Sequence, residues 1–241
     1  MNCKDLNWSF LRKAYPKAIF SIILFGFVYS CSSGDTKIPA RSGSNALSAA
    51  KQKEISLLEQ LKAPGLVEEK KVQLLLSLAQ AYLNQNDYDS AATTLKEVLT
   101  YKSNYYNPSK VNLELGKAYL GKSQYSSALG YLRNSEKLDR NFEVHERSKL
   151  LAKSALEERE YYPALASLSK AYNQTNTKKD LFYYETAAKT FYNIGYSQNS
   201  PIYYKKGLEM ASLGLKEFPE SPTLANIYKE CQEILNQSKR N

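Results

Sequence analysis

Residues 115–128 read LGKAYLGKSQYSSA, and the spacing within this stretch recurs twice more along the chain. In each copy a leucine is followed by a small residue, and three residues later comes a position that is tyrosine in the first two copies. An alanine follows nine residues after that position. The leucines are Leu78, Leu115 and Leu151, so the copies start 37 and 36 residues apart. This period is typical of helical hairpins that stack and bury their apolar faces against their neighbours.

The apolar residues within each copy lie three and four positions apart, which places them on one face of a helix. On the first helix of the first copy they are Leu75, Leu78 and Tyr82. We interpret such stripes as buried core, so the tyrosines at repeat positions need no aromatic binding site to explain them. Gly116 lies in the middle of a predicted helix, where glycine costs about 1 kcal/mol relative to alanine. That cost predicts a close approach of the second helix at this position.

A fourth copy begins at Leu181 and has the aromatic Phe191 at the corresponding position. Sixteen residues separate Phe191 from Gly207 on its second helix, where the other copies have nine. We expect the extra residues to form a longer turn around residues 195–201. The third copy also differs, because Ala155 stands where the first two copies have an aromatic residue.

Over residues 68–220 this pattern resembles the tetratricopeptide repeat (TPR) family, which keeps Leu-Gly/Ala-x-x-Tyr on the first helix of each unit and alanine on the second. Residues 115–128 are the strongest match. The resemblance implies an all-α fold, a right-handed α-α superhelix, with units that start near residues 72, 109, 145 and 181. It also implies a protein that binds other proteins and catalyses no reaction.

The first helices of TPR units line a concave groove, and the resemblance carries that role to one set of positions in each unit of this chain. The set includes five lysines together with leucines and a tyrosine. This mixture suits an extended or helical peptide that has apolar anchors and acidic flanks. The alternative is that the lysines are merely solvated. The candidate groove residues are Leu76, Lys110, Leu113, Lys117, Lys149, Lys153, Lys189 and Tyr192.

Residues 1–30 read as a lipoprotein signal peptide, with a basic region before the apolar run 18–29. As a helix this run would reach about 18 Å, short of the roughly 30 Å hydrocarbon core of a bilayer. Residues 28–31, Val-Tyr-Ser-Cys, resemble a bacterial lipobox, although Tyr29 departs from the usual residue; this implies a lipid-anchored Cys31. The alternatives are an ordinary signal peptide or an uncleaved anchor. Residues 31–43 are polar, and we expect a flexible tether there.

We expect the helical domain over residues 44–241, with one helix outside the repeat at each end. Pro64 and Gly65 end the opening helix. The closing helix, residues 222–238, has Ser221 as its predicted N-cap and Pro222 at its first position. The opening helix is predicted to bury the stripe Leu47, Ala50, Ile55, Leu58 and Leu61.

Cysteine and charge content limit the chemistry and the partners. Cleavage before Cys31 would remove Cys3, and lipidation would block Cys31, so we expect no intramolecular disulfide. Cys231 lies on the apolar stripe of the closing helix and is expected to be a small buried hydrophobe. The formal net charge of +9 is modest, and no nucleic-acid motif accompanies it. Nucleic acid is therefore not an expected partner.

Two features that resemble ligand or catalytic sites are better explained by helices. Residues 116–123 match the phosphate-loop pattern GxxxxGK[ST], but a continuous helix uses its N–H groups for its own carbonyls. His145 is the single histidine, which excludes a histidine-based metal cluster, and we expect it to face solvent. No nucleophile–His–acid set occurs at a recognisable spacing. We therefore expect no enzyme activity, no nucleotide, no metal and no cofactor.

Two functions from different classes fit these observations. The first is a non-enzymatic, lipid-anchored TPR scaffold that binds a protein or peptide in the bacterial cell envelope, at the outer membrane or periplasmic face rather than in the cytoplasm. The second is a structural subunit of an envelope assembly machine, of the outer-membrane protein assembly or pilus biogenesis type. Carbohydrate or peptidoglycan binding through surface tyrosines is a third and weaker alternative.

Overall fold

The computed structural model describes residues 42–238, with side chains from residue 49 onward. The predicted signal peptide, the lipidation site at Cys31 and nearly all of the tether lie outside the described residues. Between residues 42 and 238, no helix combines the length and the hydropathy that a bilayer span requires.

The described residues form ten α-helices and no strand, which confirms the all-α prediction. A short 3-10 turn, Ser103–Tyr105, precedes the fourth helix, and a π turn, Lys170–Gln174, continues the seventh. The right-handed superhelix stays a prediction. The helices are α1 Ser42–Leu61, α2 Glu68–Asn84, α3 Tyr88–Val98, α4 Pro108–Gly121, α5 Tyr125–Leu138, α6 Val144–Glu157, α7 Tyr161–Ser169, α8 Leu181–Gln198, α9 Pro201–Glu217 and α10 Pro222–Gln237.

The helices pack in the order in which they occur along the chain. Each helix contacts the next one, so that α2/α3, α4/α5, α6/α7 and α8/α9 are hairpins. In addition α4 contacts α6, α6 contacts α8, and α8 contacts α10. From α4 onward, the first helices of successive hairpins therefore lie side by side, as the repeat predicts.

The buried faces coincide with the predicted stripes, and the small residues permit close packing. Leu75, Leu78 and Leu95 are each less than 5% exposed. A Cβ atom built on Gly116 would lie 2.5 Å from Cδ2 of Leu132 on α5, which is closer than side chains pack. The predicted close approach is confirmed. Residues 116–123 lie in α4 and the turn after it, so their backbone is not a phosphate-binding loop.

The predicted long turn in the fourth unit is wrong, because the extra residues lengthen both helices instead. Helix α8 continues to Gln198 and α9 begins at Pro201, so only two residues join them. Asn199, with φ 47°, ends α8 in the left-handed region that favours asparagine. Gly195 lies inside α8, where an added Cβ would be 3.0 Å from the Tyr204 ring. This glycine serves a helix contact and not a turn.

The apolar stripe predicted for α1 is partly wrong. Ile55 is 49% exposed. Leu57, Leu58 and Leu61 pack against α2, and Glu54 on the same face is only 7% exposed. Glu54 is held by Lys51, at 2.9 Å, and by Gln85 Nε2, at 3.3 Å. The carboxylate of Glu54 interrupts the hydrophobic pattern of this face. The pattern therefore predicted the next apolar residue, Ile55, as the buried one.

His145 is half-buried, contrary to the predicted solvent exposure. Its Nδ1 lies 2.7 Å from the carbonyl oxygen of Ala171, and its ring meets the edge of Tyr172 at a centroid distance of 5.0 Å. The π turn that follows α7 covers this histidine, which the repeat pattern did not indicate. Cys231 is fully buried, as predicted, and burial raises the pKa of its thiol to about 11. It packs as an apolar residue rather than a reactive thiol.

Candidate partner-binding face

The first helices line two grooves, and four of the eight predicted residues line them: Leu76, Lys110, Lys153 and Lys189. The first, which we call the α2–α4 groove, has Lys110 and Glu114 from α4 opposite a row of α2 side chains. Lys53 of α1 closes one side of it. The repeat pattern did not indicate Lys53, because α1 does not follow the repeat. The α2 side chains are Gln73, Leu76, Ser77, Gln80 and Leu83.

The second, which we call the α6–α8 groove, lies between the third and fourth units. It contains two lysines, two glutamates and two apolar side chains, with Thr223 of α10 at one end. Its composition resembles that of the α2–α4 groove, since apolar atoms form the floor and charged groups the rim. Its main lining residues are Lys153, Leu156, Glu157, Phe182, Glu185 and Lys189.

Three of the five predicted groove lysines are neutralised by carboxylates. Lys117 Nζ lies 3.2 Å from Glu114, and Lys189 Nζ lies 3.2 Å from Glu157. Lys149 is paired as well. Lys110 and Lys153 are exposed, and within residues 49–238 no carboxylate pairs with either of them. The predicted positions are therefore less basic than their lysine count implies, and among the five only Lys110 and Lys153 keep an unpaired charge in the described part of the chain.

Leu113 and Tyr192 line neither groove, and the prediction that Leu113 contacts a partner is wrong because this side chain is buried. Leu113 is 2% exposed, because α6 packs against this side of α4 and joins Leu151 to the same cluster. The Tyr192 ring meets the edge of the Tyr204 ring at a centroid distance of 5.7 Å, within the cluster that joins α8, α9 and α10. The pKa of Tyr192 is raised by the carboxylate of Glu230 and by burial.

Lys149 belongs to a cluster that joins the third unit to the fourth. Its Nζ lies 2.9 Å from Asp180 and 4.8 Å from the centroid of the Phe182 ring. Asp180 caps α8 by accepting a hydrogen bond from the Tyr183 N–H at 3.0 Å, and it also accepts one from the Tyr172 hydroxyl. Lys149 is therefore a structural residue, although it occupies a groove position.

The charge on Asp180 is maintained by its hydrogen-bond donors. Burial opposes ionisation, but hydrogen bonds from Tyr172 and Lys149, and from the Tyr183 N–H, hold the pKa of Asp180 below its ordinary value. Burial, together with the carboxylate of Asp180, raises the pKa of Tyr172. A lowered pKa means that ionisation of this carboxyl is more favourable in the folded state than in the unfolded state, so the ionised carboxylate stabilises the fold.

Asp180→Asn is expected to lower the free energy of unfolding at pH 7 by about 1 kcal/mol, because it removes the partner of Lys149 but leaves a capping residue. The contribution of the ionised carboxyl is complete above its unfolded pKa, near about 4, and is lost as the pH falls through the lower folded value. Urea unfolding at pH 7 and at lower pH should therefore show the two proteins converging in acid. A difference that is independent of pH would contradict the ionic role.

The described residues contain no group of three or more His, Cys, Asp or Glu side chains placed to hold a metal ion. No family model matches the chain. No curated protein matches it.

Several solved structures resemble the chain at low similarity. MamA, residues 41 to the end, from Desulfovibrio magneticus RS-1 is 15% identical and has a TM-score of 0.47, covering 73% of this chain and 100% of that chain. A double mutant of MamA RS-1 is 14% identical, with the same coverage and TM-score. MamA MSR-1 is 14% identical with a TM-score of 0.46, covering 70% of this chain and 98% of that chain. The description of the fold therefore depends on the helix contacts of the chain itself.

Proposed function

We propose that this chain is a non-enzymatic TPR lipoprotein that presents its helical stack to a protein partner in the bacterial cell envelope. A lipid on Cys31 would hold it to the membrane at the outer-membrane or periplasmic face. The observation that carries the binding role is the pair of grooves along the first helices. Both grooves combine an apolar floor with charged rims, a composition suited to peptide recognition.

The chemistry of the grooves favours an extended or helical peptide. Leu76 and Leu83 in one groove, and Phe182 in the other, offer apolar surface for anchor side chains. Lys53, Lys110 and Lys153, which form no salt bridge within residues 49–238, supply positive charge. A partner with apolar anchors flanked by acidic residues would match both features.

The double variant Lys110→Glu/Lys153→Glu is expected to reduce partner capture about tenfold, which corresponds to roughly 1.4 kcal/mol. Both side chains are exposed, so the melting temperature should stay unchanged. A crosslinked pull-down from intact cells, carried out with the full chain, measures the effect.

The matched control is Lys102→Glu/Lys216→Glu, which makes the same charge change at exposed lysines outside both grooves. It should capture the partner as the parent chain does. Equal capture by the groove variant and the control would overturn the proposed binding site. Extraction in mild detergent separates the two classes of function, since a stable stoichiometric complex would indicate a subunit of an assembly machine.

A further inference from the structure

The hairpin of the fourth unit ends in an exposed apolar tip. Tyr196 is 74% exposed and Ile202 is 64% exposed, and they flank the two-residue turn between α8 and α9. Tyr162 of α7, 54% exposed, lies beside them, with its hydroxyl 3.1 Å from the hydroxyl of Tyr203. Gln198 Nε2 donates to the Tyr162 hydroxyl at 3.1 Å. We call these five residues the α8–α9 tip.

The α8–α9 hairpin carries lysines and no acidic residue over a long stretch of its sequence. No acidic residue occurs between Glu185 and Glu209, although this interval contains three lysines. The Nζ atom of Lys206 lies 5.3 Å from the centroid of the Tyr203 ring and 5.7 Å from that of Phe191. The surface thus combines exposed aromatic rings with cations. The three lysines are Lys189, which pairs with Glu157, and Lys205 and Lys206.

All four hairpin turns are polar, and the fourth consists of Asn199 and Ser200. Residues 85–87 are Gln-Asn-Asp, residues 122–124 are Lys-Ser-Gln, and residues 158–160 are Glu-Arg-Glu. Helix α8 ends seven residues after Phe191, whereas α4 ends two residues after the corresponding Tyr119. At the helical rise per residue, this places the α8–α9 tip about 8 Å further along its helix than the equivalent turn. The lengthened hairpin therefore carries the two most exposed apolar residues of the tip, Tyr196 and Ile202.

The chain enters the helical stack at the same edge as the α8–α9 tip. Helices alternate in direction, so all four hairpin turns lie at one edge. Gln85, in the first of these turns, donates to Glu54 of α1 at 3.3 Å. Helix α1 begins at Ser42, twelve residues before Glu54, which places its start roughly 18 Å beyond that contact. The start of α1 therefore lies at the edge that carries the tip.

We propose that the α8–α9 tip is a second membrane contact, which places Tyr196 and Ile202 in the interface of a bilayer that contains anionic phospholipid. Tyrosine favours the headgroup region, and lysines keep their charge at the surface while their stems lie along apolar neighbours. Anionic headgroups complement Lys205 and Lys206, which form no salt bridge within residues 49–238. The proposal rests on the proposed tether in one respect, since the tether would bring this edge of the helical stack close to a bilayer.

Tryptophan fluorescence in the full chain tests this contact. The chain has a single tryptophan, Trp8, so Trp8→Phe/Tyr196→Trp reports on the tip alone. In vesicles of phosphatidylcholine and phosphatidylglycerol, its emission should shift to the blue, and brominated lipid should quench roughly half of it or more. Trp8→Phe/Val67→Trp is the matched control, because Val67 is 72% exposed and lies outside the tip. The control should keep the emission of a tryptophan in water.

Flotation and quenching together distinguish the proposed membrane contact of the tip from the proposed tether. A chain that floats with the vesicles, but whose tryptophan at position 196 is quenched no more than the control, would overturn the membrane contact and leave the tether intact. A chain that does not float with the vesicles would overturn both. Lys205→Ala/Lys206→Ala in the reporter chain should reduce the quenching, and undiminished quenching would contradict the role of the cations.

Discussion

Replacing Arg147 with alanine is expected to lower the free energy of unfolding by about 3–5 kcal/mol. Arg147 is fully buried, and its guanidinium donates to the carbonyl oxygens of Asp139, at 2.7 Å, and Arg140, at 2.8 Å. These carbonyls belong to the loop between α5 and α6. The variant would leave both of them without a donor and would open a cavity between the second and third units.

Burying the charged guanidinium of Arg147 costs desolvation free energy. Burial lowers the pKa of its guanidinium, while the carboxylates of Glu136 and Asp139 oppose that shift. Its Nε has no hydrogen-bond partner among the described residues, so part of the energy of the two carbonyl contacts offsets desolvation. The expected loss in the free energy of unfolding is therefore smaller than the summed energies of two charged hydrogen bonds and a cavity.

Chemical denaturation with circular dichroism measures this effect. Arg147→Lys should give an intermediate loss, because a single ammonium does not reproduce the planar fork that spans two carbonyls. Lys153→Ala, at an exposed position of the same helix, should change stability by less than about 0.5 kcal/mol. A loss below about 1 kcal/mol for Arg147→Ala would contradict the buried role.

Tyr119→Ala is also expected to cost about 3–5 kcal/mol, the range for a large aromatic side chain removed from a core. Tyr119 is 8% exposed and stacks on Tyr131 with ring centroids 5.2 Å apart and planes 12° apart. The ammonium groups of Lys96 and Lys122 lie over its ring at 5.3 and 5.4 Å. The variant would remove the contacts through which α4 packs on α5 and on the first unit.

Tyr119→Phe is the matched control, since it keeps the ring and removes only the hydroxyl. It should lose less than about 1 kcal/mol, measured by the same denaturation experiment. A melting temperature that is unaffected by Tyr119→Ala would mean that the repeat register is wrong. A large loss in Tyr119→Phe would instead assign the stability to the hydroxyl.

The repeat spacing sufficed to predict the helical hairpins, because burial follows from periodicity within one helix. Gly116 and Leu95 illustrate this, since their positions follow from local spacing alone. The turn of the fourth hairpin was mispredicted because glycine is common in turns. The sequence does not show that Gly195 packs against Tyr204. A glycine that permits a close contact and a glycine that permits a turn are identical in the sequence.

The sequence predicted which helices line the candidate face, but it did not predict which lysines of that face form salt bridges. Lys149 pairs with Asp180, which lies 31 residues away, and Lys189 pairs with Glu157, 32 residues away. Such pairs depend on how neighbouring units pack, which spacing within one unit does not contain. Arg147 was missed for the same reason, since its carbonyl partners belong to an irregular loop. The anchor at Cys31 and the location in the envelope stay predictions.

Photo-crosslinking in intact cells tests the binding role of the first-helix grooves most directly. A photoreactive amino acid at Gln80 or Lys153, one in each groove, is expected to give a discrete adduct with a protein partner. The same amino acid at Thr93 or Ser127, exposed positions on second helices, should give none. Adducts that form equally at all four positions, or only at the second-helix positions, would contradict the assignment of the working face.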